Sequence, residues 1–170
     1  TSDLEQFEGL FRHSKVLGLV DNTGTSITSS AVNITMSHLF TPTTTGSTAY
    51  TIAFNNAFYY PHSGHNETAG GVIASTGFYV SGDATNIQYF DDDGAGNLRT
   101  YYLATGVRTY TDSTAGTVTY STGKIVTDGI KITSVAEVDG ASSDEIRVTA
   151  IPDSKDIVPV RNQILQVDTT

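Results

Sequence analysis

The sequence predicts a mainly β fold, with α+β as the alternative, in which antiparallel sheets form a sandwich-like domain with one short N-terminal helix. Short apolar runs recur at about 8–12-residue spacing between Gly, Pro, Asn and Asp, as in antiparallel β folds. Threonine is abundant, and its β-branched side chain favours pleated strands. The chain lacks the alternation of strands and long helices that marks a parallel sheet.

The one predicted helix covers residues 3–12. Ser2 and Glu5 have the spacing of a capping box, which satisfies free N–H groups at a helix start. The apolar residues that repeat at helical spacing are Leu4, Phe7, Leu10 and Phe11. Residues 1–15 are therefore expected to be a helical lead-in to a single β-rich domain.

The remaining residues are predicted to form strands and turns, with the most regular β region at 86–168. After a short apolar run at 16–20, the predicted strands are 27–35, 49–54, 77–80, 87–90, 98–103, 107–110, 117–120, 130–133, 146–149 and 164–167. The predicted turns are 91–97, 112–116 and 139–140. Residues 55–71 are the least regular part, and Pro152 and Pro159 bracket a stretch outside the sheet.

Composition narrows the classes of protein. A chain of 170 residues fits one domain, and it holds no Cys, which excludes disulfides and thiolate metal sites. The net charge of -9 disfavours binding to nucleic acid or to anionic lipid. No apolar stretch approaches the ~20 residues that span a bilayer. The chain begins with Thr1 rather than Met, so we expect a fragment of a longer protein.

The loop at 91–97 is the best candidate for a metal site. Asp91, Asp93 and Asn97 would supply oxygen ligands to Ca²⁺. An EF-hand starting at Asp91 fails, however, because Ala95 takes its fifth position and Tyr102 its twelfth. The same residues also suit a plain hairpin turn, since Asp, Asn and Gly tolerate positive φ. Both interpretations stay open at this point.

Other chemistry-bearing residues are sparse. His62 and His65, with Glu67 nearby, would need a further placed ligand to hold zinc, and the surrounding Pro and Gly favour a surface loop. No nucleophile elbow, phosphate loop or dinucleotide fingerprint is present. We therefore expect no catalytic residues and no cofactor, so the chain is predicted not to be an enzyme.

Three consecutive aromatic residues, Phe58, Tyr59 and Tyr60, lie in the irregular part of the chain. Aromatic side chains are favoured in the centres of protein interfaces and in glycan sites. They are also favoured in hydrophobic cores, since large aromatic side chains are mostly buried. We treat them as a candidate interface, with two of the three in the core as the alternative.

Four stretches resemble the large wedge subunit of T4-like contractile-tailed phage baseplates, the protein that forms the inner ring. They are 2–7 with 14–17, then 89–99, 116–125 and 151–165. The run at 116–125 is common in phage tail proteins. The Asp/Gly hairpin and the ending around Arg161, Asn162 and Gln163 make the likeness more specific.

The resemblance implies a structural protein of the virion. It implies self-association into a homo-oligomer and packing with other baseplate wedge proteins, after assembly in the host cytoplasm. It implies no catalytic residues. The alternative function is a receptor- or glycan-binding domain of the tail tip that depends on calcium, suggested by residues 57–65 and 91–97.

Overall fold

The structure is a computed structural model that describes residues 12–24, 32–65, 71–138 and 140–157. Within these residues one helix and ten strands occur. They are α1 (His13–Asp21), β1 (Met36–Phe40), β2 (Thr51–Ala53), β3 (Ile73–Ser75), β4 (Phe78–Val80), β5 (Asp83–Asp92), β6 (Asn97–Ala104), β7 (Val107–Thr119), β8 (Lys124–Thr127), β9 (Ile132–Val135) and β10 (Ile146–Ala150). The predicted mainly β, antiparallel class with one short helix near the N-terminus is confirmed.

All ten strands belong to one antiparallel sheet. Its order is β1-β10-β3-β5-β6-β7-β8-β2, and β4 pairs with both β5 and β9 beside this path. The sheet curls until its end strands approach each other: the ring of Phe40, the last residue of β1, lies 4.9 Å from the ring of Tyr50, just before β2. The two layers expected of a sandwich are therefore parts of a single sheet that nearly closes into a barrel.

The core fills the inside of the curled sheet. Its largest fully buried side chains are Phe54, Phe58, Phe78, Phe90, Ile52, Ile73, Leu98, Ile125, Ile132 and Ile146. Phe78 and Phe90 are neighbours across β4 and β5, with ring centroids 4.6 Å apart. Each fully buried side chain of this size contributes about 1.5–3 kcal/mol of transfer free energy. Successive side chains of a strand point to opposite faces of the sheet. These inward residues therefore determine which residues of β5, β6 and β7 face outward.

Helix α1 differs from the sequence prediction. Residues 3–11 of the predicted helix lie outside the described residues, and α1 begins after Arg12. It contains the apolar run at 16–20, which was grouped with the strands and turns, so that part of the prediction is wrong. None of its residues is buried. Its start is held to the barrel by the backbone N–H of His13, which donates to Asp156 at 3.0 Å.

Strand β7 also differs from the prediction. A turn was expected at 112–116, but β7 continues through it to Thr119. The Asp112 carboxylate accepts from the Thr114 N–H at 2.8 Å, which is the local bond expected of a turn. The register with β6 shifts there, so the turn-like residues form an irregularity within one strand. Gly116 then lies under the Val126 carbonyl, where an added Cβ would collide.

The other predicted strands have mixed outcomes. Those at 49–54, 77–80, 87–90, 98–103 and 146–149 overlap β2, β4, β5, β6 and β10. Strand β1 begins after the range 27–35, whose described residues, 32–35, contain no strand. The sequence does not predict β3 or β8. The range 164–167 lies outside the described residues.

Candidate functional site

A buried charged cluster connects β5, β6 and β7, on the face of β5 opposite Phe90. Asp91 is 1% exposed, and Arg99 lies directly across the β5–β6 ladder from it. The Arg99 guanidinium donates to Asp91 from Nε at 2.9 Å and from Nη2 at 3.3 Å. Arg108 and the Tyr110 hydroxyl donate to the Oδ2 atom of Asp91 at 3.0 Å and 2.9 Å, the oxygen that also accepts from Arg99 Nη2. One carboxylate therefore binds side chains from two neighbouring strands.

Aromatic rings cover this cluster. The Arg99 guanidinium lies 4.2 Å from the centroid of the Tyr110 ring, and that of Arg108 lies 4.8 Å from the centroid of Tyr101. Such cation–π contacts strengthen when they are shielded from water. Burial raises the pKa of Asp91, against the hydrogen bonds and positive charges of its partners. The cluster is therefore a satisfied, rigid charge network rather than an open reactive group.

Asp92 forms a second buried network on the opposite face of β5. One carboxylate oxygen accepts from the backbone N–H groups of Val72 and Ile73, each at 2.9 Å. The other accepts from the Tyr120 hydroxyl at 2.6 Å. Burial, followed by the bond to Asp92, raises the pKa of Tyr120 far above its ordinary value. Asp92 thus ties the start of β3 to the end of β7.

Asp93 builds the turn between β5 and β6. One of its oxygens accepts from the N–H groups of Ala95 and Asn97, at 2.7 Å and 2.9 Å. The other accepts from the Asn97 side-chain amide at 2.6 Å. Burial opposes these bonds, yet they lower the pKa of Asp93 below its usual value. Gly94 and Gly96 supply the positive φ angles of the loop, 69° and 109°.

The three candidate calcium ligands fall into two separate hydrogen-bond systems. Asp93 and Asn97 bind each other within the turn, whereas Asp91 binds Arg99 and Arg108. Within the described residues, no group of three or more His, Cys, Asp or Glu side chains is arranged to hold a metal ion. Calcium binding by this loop stays a prediction.

The aromatic candidate residues divide between core and surface. Phe58 is 1% exposed and packs edge-on against Phe54 in the core. Tyr59 and Tyr60 are 44% and 39% exposed. Tyr60 stacks on Tyr120 with centroids 4.4 Å apart. An interface at this place would therefore use the two tyrosines and not Phe58.

His65 extends this surface. Its ring lies 5.9 Å from those of both Tyr59 and Tyr60, and 5.7 Å from that of His62. The loop is fastened to the β5–β6 turn because the Gly64 N–H donates to the Gly94 carbonyl at 2.9 Å. We call Tyr59, Tyr60, His62 and His65 the aromatic patch. Glu67 lies outside the described residues.

A cavity of about 280 Å³ lies between the middle of β7 and residues 128–131. Gln88, Thr100 and Thr111 form a hydrogen-bonded set at its wall. Asp112, Asp128 and Lys131 lie at its exposed margin. The polar side chains of this wall therefore bind one another within the protein.

Sequence reasoning missed the Asp91–Arg99 pair, although a signal for it was present. The two residues carry opposite charges at either end of the Asp/Gly-rich run, but the predicted turn at 91–97 includes Asp91, which in the structure belongs to β5 and faces Arg99. Opposite charges in directly facing positions stabilise a β ladder. The partners Arg108 and Tyr110 come from a second hairpin, and counting positions about the first turn does not reveal them.

Comparison with known proteins gives one family match. Residues 1–38, less than a quarter of the chain, match the model of "Baseplate structural protein gp6, C-terminal domain III". Searches of curated proteins and of solved structures gave no match. Among the described residues no helix is long and apolar enough to cross a membrane. The family match supports a structural role in a phage tail baseplate.

Proposed function

We propose that this chain is part of the large wedge subunit of a phage tail baseplate, a non-catalytic module that associates with copies of itself and with other wedge proteins. Its place would be the inner ring of the virion's baseplate, after assembly in the host cytoplasm. The observation that carries the proposal is the match of residues 1–38 to a domain of a baseplate structural protein.

The geometry of the β domain supports a structural role. The carboxylates of Asp91, Asp92 and Asp93 are each bound by two or more hydrogen-bond donors from the protein. Satisfied buried networks of this kind fix one packing of the strands. A rigid domain suits permanent assembly, where the surface has to match its neighbours in shape.

The experiment removes the domain from the phage that carries its coding sequence. Deletion of the codons for residues 36–157 should leave particles without baseplates in electron micrographs, and a plasmid copy should restore them. The matched control is Asp144→Ala supplied from the same plasmid, which should restore baseplates as the unchanged copy does, because Asp144 is exposed. Normal, infectious tails after the deletion would contradict the proposal.

A second candidate function is a receptor- or glycan-binding domain of the tail tip. The observation that favours it is the aromatic patch, where Tyr59 and Tyr60 present exposed rings beside His65. Exposed aromatic faces are a common way to bind sugar rings. A glycan array read with and without Ca²⁺ tests this candidate, with Tyr59→Ala/Tyr60→Ala as the binding-deficient variant. A flat response in both conditions would eliminate it.

A further inference from the structure

The first half of β7 has one unpaired edge. Strand β6 pairs with β7 along its length, but β8 pairs only with the four residues from Gly116 to Thr119. Among the described residues no strand pairs with the other side of 107–114. An edge of this kind presents free N–H and C=O groups to any strand that can pair with it.

The β6–β7 turn fixes which groups point outward. Thr105 and Gly106 have φ angles of 51° and 84°, the conformation of a two-residue hairpin turn. Ala104 and Val107 close that turn as a hydrogen-bonded pair, and the pairs alternate from there. Arg108 and Tyr110 therefore stand in non-hydrogen-bonded positions, with their backbone N–H and C=O groups directed away from β6.

The Asp91 cluster holds this edge in place. Arg108 and Tyr110, whose backbone groups point away from β6, bind the Asp91 carboxylate through their side chains at 3.0 Å and 2.9 Å. The Arg99 guanidinium packs on the Tyr110 ring. A strand that is already rigid loses less conformational entropy when a partner adds to it. The edge is thus preorganised for pairing.

Irregularities further along limit the usable length. The register with β6 shifts after Tyr110 and again before Gly116. Bulges of this kind twist an edge away from regular pairing. Only residues 107–110 offer a straight ladder, which is enough for a short and specific contact but not for open-ended aggregation.

We propose that this edge pairs antiparallel with the same edge of a second copy of the chain, about a two-fold axis at Thr109. The inference rests on the proposed self-association and names the surface that carries it. In this register Thr109 faces Thr109 of the other copy, and Arg108 faces its Tyr110. The outward groups of both residues are then satisfied by four hydrogen bonds.

Charge and side-chain chemistry select a second copy as the occupant. The register places no like charges opposite each other, since Arg108 faces a tyrosine and Asp112 falls beside the turn glycine Gly106. Contacts between arginine and tyrosine already stabilise each copy on this face. Facing threonines are a favourable cross-strand pair. The pairing also buries part of Val107, which is 66% exposed in the single chain.

The absence of cysteine from the sequence gives a direct test. In the proposed dimer the two Thr109 residues form a non-hydrogen-bonded pair, with Cα atoms about 4.5 Å apart, which a disulfide can span. Thr109→Cys in the 170-residue chain should therefore give a disulfide-linked dimer under mild oxidation. The matched control is Thr117→Cys, on the same strand and exposed, but paired with Asn97 and Val126 on its two sides.

We expect the dimer band of Thr109→Cys on non-reducing gels to exceed that of Thr117→Cys by about tenfold, because disulfide geometry is restrictive. A second variant, Thr109→Lys, places like charges opposite each other and should convert the wild-type dimer to a monomer in light scattering. Thr117→Lys should leave the dimer unchanged. Circular dichroism establishes that each variant is folded.

Equal cross-linking of the two cysteine variants, or a wild-type dimer that survives Thr109→Lys, would overturn the inference. A monomeric wild-type chain would also overturn it. A monomeric wild-type chain would also remove the proposed self-association. None of these results decides the baseplate role, which the deletion experiment tests separately. If baseplates depend on the domain but Thr109 makes no contact, the baseplate role stands without this interface.

Discussion

At the scale of residues, the buried carboxylate of Asp91 connects β5 with β6 and β7 through its hydrogen bonds. A buried carboxylate is costly unless hydrogen-bond donors and opposite charges surround it. Asp91 has two arginines and one tyrosine hydroxyl around it, drawn from β6 and β7. Removal of the carboxylate would leave Arg99, which is 6% exposed, beside an empty space and without its counter-charge.

Asp91→Ala should therefore lower the free energy of unfolding by about 3–5 kcal/mol, as expected when one partner of a buried ion pair is removed. Urea denaturation followed by circular dichroism measures the change. Asp144→Ala is the control, because Asp144 is exposed, and its effect should stay within about 0.5 kcal/mol. Equal effects of the two variants would show that the Asp91 network contributes nothing to stability.

Because the Tyr120 hydroxyl is buried, we expect the protein to lose stability at high pH. Its pKa is raised in the folded state, so the folded protein retains a proton that the unfolded chain releases above about pH 10. Stability from this group is complete below pH 10 and falls above it, by about 1.4 kcal/mol per pH unit. Urea denaturation between pH 9 and 11.5 should show a smaller decline for Tyr120→Phe than for wild type. Parallel curves would contradict the assignment.

At the scale of elements, the two hairpins of the β5–β7 region differ in how readily the sequence reveals them. The β5–β6 turn contains Asp93, Gly94, Gly96 and Asn97, residue types that form turns through their own side chains or through positive φ. The β6–β7 turn uses Thr105 and Gly106. A β-branched residue rarely adopts positive φ, so this turn has a weak sequence signal.

The strained turn residue gives a prediction at this scale. Thr105→Asn creates the Asn-Gly pair that a two-residue hairpin favours, and should stabilise the protein by about 0.5–1 kcal/mol. Thr122→Asn is the control, because Thr122 lies in a turn without positive φ. Thermal unfolding compares the two variants. A melting temperature of Thr105→Asn below that of wild type would show that Thr105 is not strained.

At the scale of the whole molecule, the sequence predicts the fold class but not the closure of the sheet into a near-barrel. Alternation of apolar and polar residues in β10 indicates a strand with one buried face. The curling of one sheet into a near-barrel depends on pairings between distant strands, such as β1 with β10 and β2 with β8. Local patterns do not contain these pairings, and they also do not distinguish the run at 16–20 as a helix.

The candidate sites were predicted only in part, for a related reason. The sequence predicts the Asp/Gly turn at 91–97, which depends on neighbouring residues, but it leaves open whether Phe58, Tyr59 and Tyr60 lie at an interface or in the core. The Asp91 cluster and the free edge of β7 depend on three strands together, and on which stretch of β7 has β8 beside it.

The most direct test of the baseplate role is the composition of the virion. Baseplates separated from the heads and tubes of the purified phage should contain peptides of this chain, identified by mass spectrometry, with cross-links between its residues and other baseplate proteins. Peptides found only in the infected-cell lysate, with none in the baseplate fraction, would contradict the structural role proposed for the protein.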